Sequence, residues 1–296
     1  MAIALTAWGI AGFVGAPLMD RLLAARGGNF RTAWFVIAGL AVVSAAIALR
    51  FVRERPEDMG QVPDGTSVEA APAPGAMSER LRTVHSWTPQ EGYRTPAYWL
   101  IYIGAIACQF PSFFFTAHGI LHLRGSGLSA ADAAWAIGLY TLGGIAGRLT
   151  GGVLVDKIAA RFTFMLGLGF YVVGTFLALR INAQNLGTAN SAAFLYGAGM
   201  GCSFTCLTTM IGNYYGPAAF PRLSGTMMML SAVVCSGAGV IGGKLFDMNQ
   251  SYAPAFLLNL AICAAGMIAL TFAKMPQPPA PVPGMVPAAV TPTAWG

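Results

Sequence analysis

Apolar runs of about 20 residues recur along this chain near positions 2–25, 31–51, 97–121, 131–155, 162–182, 188–212, 223–246 and 253–273. A helix needs about that length of mostly apolar sequence to cross the hydrocarbon core of a bilayer. No other constraint on the chain is as strong. It predicts an all-α, polytopic membrane protein with about eight transmembrane helices. The first run is read as a span and not as a cleavable signal, because no basic leader precedes it.

The charges fall where that reading needs them. Hydrophobic residues make up 56% of the chain and charged residues 9%, against roughly 25% charged in soluble domains. Of the 11 acidic residues, Glu54, Glu57, Asp58, Asp64, Glu69, Glu79 and Glu91 share one stretch between apolar runs. The others, Asp20, Asp132, Asp156 and Asp247, stand near the edges of runs. A charge at the centre of a lipid-facing helix costs at least about 2.5 kcal/mol. The net charge of +6 is scattered over loops, with no basic stripe and no aromatic platform, so nucleic acid is rejected as a partner. Cys108, Cys202, Cys206, Cys235 and Cys263 all lie in apolar runs without zinc or redox spacing, and they read as small packing residues.

Residues 52–95 collect prolines, most of the acids and the Ala-Pro-rich piece Ala70–Gly75, which predicts a solvated linker between two membrane units. The tail, residues 275–296, is rich in proline and alanine and is expected to be disordered. Placing the linker in the cytoplasm puts Arg50, Arg53, Arg55, Arg80, Arg82, Arg94, Lys157, Arg161, Arg222 and Lys274 inside. Arg21, Arg26, Arg31, Arg124, Arg180 and Lys244 then lie outside. With an even number of spans, both termini are cytoplasmic.

The chain also repeats itself. Gly12-Phe-Val-Gly15-Ala-Pro-Leu18-Met-Asp20 matches Gly239-Val-Ile-Gly242-Gly-Lys-Leu245-Phe-Asp247 at identical spacing. The repeat pairs run one with run seven, and an aromatic-x-x-Ala-aromatic start pairs run two with run eight. A six-helix period fits transporters built from two parallel six-helix repeats.

Arg148 is the one charge inside the fourth run, eight residues before Asp156 and so about 12 Å along a helix. An intramembrane arginine normally faces a cavity or a partner and marks a substrate path. Its guanidinium offers a planar fork that suits a carboxylate. The alternative is an arginine that snorkels to the membrane edge or binds backbone carbonyls. Gly143, Gly147 and Gly151 recur every four residues, as do Gly144, Arg148 and Gly152, a spacing that lets helices approach closely. Gln109, Ser112 and Thr116 share a face of the third run near Pro111, and such a polar stripe faces a cavity or another helix. His118 and His122 sit four apart near the outer end of that run. With no carboxylate or cysteine beside them, packing is the preferred reading over metal binding; His118 alone stays a proton-linked candidate. Ser203, Thr205, Thr208 and Thr209 form a weaker polar group in the sixth run. No catalytic residues, metal site or cofactor motif emerges, so the chain is not read as an enzyme.

At this point a family comes into view. Gly152-Val-Leu-Val-Asp156-Lys157-Ile-Ala-Ala-Arg161 resembles the loop signature G-x-L-x-D-[RK]-x-G-x-[RK] of the major facilitator superfamily, with Ala159 at the second glycine. Arg55-Pro-Glu-Asp-Met-Gly60 with Pro63-Asp-Gly65 resembles the linker of the monocarboxylate and oxalate–formate antiporter-like branch. Thr95-Pro-Ala-Tyr-Trp-Leu100 leading to His118, Gly127-Leu-Ser129 and Gly147-Arg148 is similar to the same branch, as is Asn213-Tyr-Tyr-Gly216 with Phe220 and Gly225.

The resemblance implies secondary transport of small organic anions in the inner membrane, by proton symport or against a counter-anion. It makes Arg148 the contact for the substrate carboxylate. Gln109, Ser112, Thr116 and His118 are then candidate lining, and Gly152, Asp156, Lys157 and Arg161 a conformational loop. Two positions depart from the branch: Gly144 stands where animal-type carriers place an aspartate, and Ser231 where oxalate–formate exchangers place a lysine. By the same comparison residues 1–51 are the last two helices of a first bundle and residues 96–274 a complete second one, with four helices missing ahead of Met1. A truncated, non-transporting fragment or assembly partner, and a membrane sensor or scaffold, are the competing expectations.

Overall fold

In a computed structural model, the structure describes residues 25–51 and 82–279, with residues 15, 18, 19 and 21–23 ahead of them. Those residues contain α1 (Phe30–Phe51), α2 (Pro89–Arg94), α3 (Pro96–Gly125), α4 (Ala130–Val155), α5 (Ala160–Ala178), α6 (Leu186–Asn249) and α7 (Ala253–Phe272). No strand occurs among them. Five helices, α1, α3, α5, α6 and α7, are long and apolar enough to cross a membrane. At 26 residues α4 also has the length to cross. The first apolar run, the first copy of the repeat, linker residues 52–81 and tail residues 280–296 lie largely or wholly outside the described residues.

Runs six and seven are joined in one 64-residue helical stretch. At 1.5 Å per residue that is about 96 Å, some three times the roughly 30 Å core of a bilayer. It cannot be one span, and it breaks at Gly216, whose φ of 71° and ψ of 173° lie outside the helical region. A side chain at that φ is strained, which is why the break falls on glycine. The break also frees a carbonyl. Pro217 has no N–H to donate four residues back to Asn213, and the Thr83 backbone N–H fills that place at 2.8 Å.

The end of the expected linker is therefore packed structure. Thr83 Oγ1 accepts a hydrogen bond from Trp87 Nε1 at 3.0 Å, and Trp87, 3% exposed, meets the Tyr215 ring edge-on. Within the expected linker, residues 82–95 therefore carry structure packed on the bundle: aromatic side chains there clamp the α6 break. Thr88 and Glu91 close a capping box on α2, with Pro89 in its first turn. The Glu91 carboxylate accepts from the Thr88 N–H at 2.8 Å and from its hydroxyl at 2.9 Å. Those bonds hold its pKa below the usual carboxylate value.

The two halves of α6 (186–215 and 217–249) pack with α3, α4, α5 and α7 into a six-span bundle, with α6 touching each of the others. Its closest seam joins α4 to the first half of α6. A β-carbon at Gly143 would overlap the Phe194 carbonyl oxygen, one at Gly147 the Ala198 oxygen, and one at Gly197 the Tyr140 oxygen. Backbone lies on backbone there, as the four-residue glycine spacing predicted. All five cysteines are free and buried. In α1 only Ala33 is buried, while Trp34, Phe35 and Leu49 stand exposed, as expected of a helix that meets lipid or a neighbour outside the described bundle.

Two outcomes follow. Gly197→Val forces α4 and α6 apart and is expected to cost at least about 3 kcal/mol, seen as lost monodisperse protein in size-exclusion chromatography. Gly169→Ala, whose added carbon meets nothing within 4 Å, leaves the profile unchanged. The depressed Glu91 pKa stabilises α2 above the unfolded carboxylate value of about 4.3. That contribution fades as pH falls through the lower folded value, so hydrogen exchange of α2 amides is expected to rise there, and Glu91→Gln to remove the pH dependence.

Candidate functional site

Arg148 is 4% exposed. Its position, seven residues from the end of α4, sets it about 10 Å inside the helix end. That burial excludes the lipid-facing, snorkelling alternative. The residue stays inside because the α4–α6 seam closes around it: a β-carbon on Gly201 would lie 2.8 Å from the Arg148 backbone nitrogen. Tyr140, Gly144 and Arg148 follow one another at four-residue intervals on one face of α4. Cβ at Gly144 would have only the Gly197 oxygen near it, at 3.8 Å, so this glycine leaves room between tyrosine and arginine.

The α3 stripe meets this face. Ser112 Oγ and Tyr140 Oη share a short hydrogen bond. One turn toward the linker end, Gln109 Nε2 donates to Ser231 Oγ on the second half of α6 at 2.7 Å. Ser231 in turn donates to the Met227 carbonyl at 2.8 Å. Gln109, Ser112 and Ser231 are all buried. Thr116 is exposed along α3, toward the other end of the stripe. Gln109, Ser112, Tyr140 and Ser231 therefore form a polar layer across α3, α4 and α6 inside an apolar bundle, and Arg148 stands about two turns of α4 from Tyr140, toward the linker end.

His118 is set apart from that layer. The Gly239 carbonyl, 2.7 Å from its Nε2, can only accept, so Nε2 carries the proton and Nδ1 receives the Tyr252 hydroxyl at 3.3 Å. The ring seats on Gly242, where a β-carbon would lie 2.8 Å from its Cδ2. His122 turns to a different carbonyl, Ala178, at 3.0 Å. The two imidazoles bind separate helices, as packing histidines do. Among the weaker group, Thr205, Thr208 and Thr209 return their hydroxyls to carbonyls of their own helix.

In the α4–α5 loop Asp156 caps α4, and the Lys157 and Ile158 N–H groups both bond the Leu154 carbonyl. Gly152 continues the helix one turn above, and Arg161 lies in the first turn of α5 over the Phe162 ring. Among the described residues none of Asp156, Lys157 and Arg161 forms an ion pair. Tyr140 and Ser231 belong to the layer and do not stand out by residue type. The trace of Tyr140 in the sequence is its four-residue step to Gly144 and Arg148.

Comparison with known proteins agrees with this architecture. The sequence profile described as Major Facilitator Superfamily matches residues 119–295, more than half of the chain. Methylenomycin A resistance protein of Bacillus subtilis (strain 168) is 27% identical over 143 residues, covering 48% of this chain. The matched part is 30% of that relative's length.

If the Gln109–Ser231 bond joins α3 to α6 as observed, its loss is measurable in a double-mutant cycle of thermal unfolding in detergent. Gln109→Ala and Ser231→Ala each destabilise, and the pair is expected to couple by about 1 kcal/mol. Strictly additive losses would mean that the two side chains do not interact.

Proposed function

This chain belongs to the Major Facilitator Superfamily, a multi-pass membrane family of transporters and not of enzymes, and on that premise we propose that it takes part in secondary active transport of small organic anions. The observation that carries the reading is Arg148, a cation 4% exposed within an apolar bundle. Buried cations in spans are costly and mark substrate paths. A monocarboxylate gives the guanidinium a two-pronged partner of matching shape. Ser112, Tyr140 and the open position at Gly144 set the distance between that charge and the rest of the ligand. Gln109 and Ser231 tie α3 to the second half of α6 within the same bundle.

Transport on this reading is alternating access between two bundles, residues 96–274 forming one and residues 1–51 contributing helices to the other. The Gly152, Asp156, Lys157 and Arg161 loop latches one state at the linker end. A proton or a counter-anion balances the charge carried. The basic residues around the linker favour a cytoplasmic linker end, with both termini on that side of the cell membrane. His118 holds α3 to α6 and α7 and is not required to carry a proton.

The test is uptake of a labelled monocarboxylate into proteoliposomes. Arg148→Ala is expected to abolish it, and Arg148→Lys to restore little, because an ammonium lacks the fork. Equal uptake by all three proteins would leave the arginine a packing residue. Right-side-out and inverted vesicles read the direction of flux.

A further inference from the structure

At the linker end of the bundle, away from the polar layer, a cleft of about 350 Å³ is lined by Ala159, Ala160, Arg161, Asn213, Tyr214, Lys274 and Met275. Three separate elements converge on it: the start of α5, the end of the first half of α6, and the chain leaving α7. The Tyr214 hydroxyl donates to the Ala273 carbonyl at 2.9 Å and so holds Lys274 beside the cleft that Arg161 also lines. Among the described residues neither cation forms an ion pair and no acidic side chain lines the cleft.

Two further donor sets face the same space. Asn213 is 8% exposed. Its carbonyl is taken by Thr83, yet its side-chain amide bonds no described residue and lines the cleft. Ala159, the residue before α5, supplies no side-chain cap, and no acid stands in the first turn of the helix. The Phe162 and Thr163 N–H groups bond the Ala159 carbonyl, and those of Ala160 and Arg161, with the positive end of the dipole, are left for an external acceptor. Two cations, a buried amide and an uncapped helix start converge on one opening, and each of them favours an anion with several acceptor oxygens.

We propose that this cleft is a binding site for a phosphate group, and that its occupant is the headgroup of an anionic phospholipid in the leaflet at the linker end. The position carries the lipid assignment. Arg161 opens α5 and Lys274 follows α7, so both stand where spans leave the hydrocarbon and headgroups begin. A lipid bridging α5, α6 and α7 stabilises the bundle from outside, and this inference stands whether or not Arg148 carries a substrate.

The experiment uses the full chain, purified in neutral detergent. Phosphatidylglycerol, phosphatidylcholine and inorganic phosphate are added separately, with lipid retention read by native mass spectrometry and unfolding temperature in parallel. Phosphatidylglycerol is expected to be retained at one copy and to raise the unfolding temperature, whereas phosphatidylcholine does neither. Arg161→Ala and Lys274→Ala are each expected to weaken retention about fivefold, and Asn213→Ala to weaken it as well. Arg222→Ala, which removes an exposed charge at the same end outside the cleft, leaves retention unchanged. Stabilisation by inorganic phosphate to the same extent, lost in the same variants, would keep the phosphate site and overturn the lipid as its occupant. Retention that is indifferent to Arg161 and Lys274, or equally sensitive to Arg222, would overturn the site.

Discussion

Backbone resting on backbone along the α4–α6 seam is the contact on which the bundle depends. Lipid tails are as apolar as leucine, so little hydrophobic force holds membrane helices together, and close packing must supply the attraction. Gly143, Gly147 and Gly197 remove the side chains that would keep the two helices apart. The same seam encloses Arg148. An arginine on a loosely packed helix would reach for the membrane edge; here it is held inside, on a face whose other members are Gly144 and Tyr140.

A second constraint is the need to satisfy every backbone group in lipid. A proline within a helix opens a gap in the helical ladder, and at Pro217 and Pro111 the gap is met from outside the helix. Pro217 frees the Asn213 carbonyl, which Thr83 fills from the chain ahead of α2. Pro111 frees the Ala107 carbonyl, and the Cys263 thiol on α7 comes to 3.9 Å of it. These repairs bind separate helices together, so the prolines that weaken single helices also specify which neighbours they take.

Much of this was readable from residue spacing. The apolar runs located the helices, and the glycine period in run four located the seam, because both patterns are local. Gly216 was visible as part of a motif but not as the break between two spans, since its role rests on backbone angles. The packed part of the linker was missed for a physical reason: residues 82–95 are polar by composition, and only the placement of Trp87 against Tyr215 shows that they dock. Long-range partners were equally hidden. Ser231 is 122 residues from Gln109, and a serine in an apolar run is normally a packing residue. His118 was the opposite case, a titratable side chain whose ring nitrogens are both engaged in helix contacts.

The central claim is that the buried charge of Arg148 recognises a carboxylate. Competition binding tests it without requiring transport: a labelled monocarboxylate is bound to the purified chain and challenged with the unlabelled acid or its neutral amide of the same shape. The account predicts displacement by the acid and none by the amide. Equal displacement by both would show recognition by shape alone and contradict it.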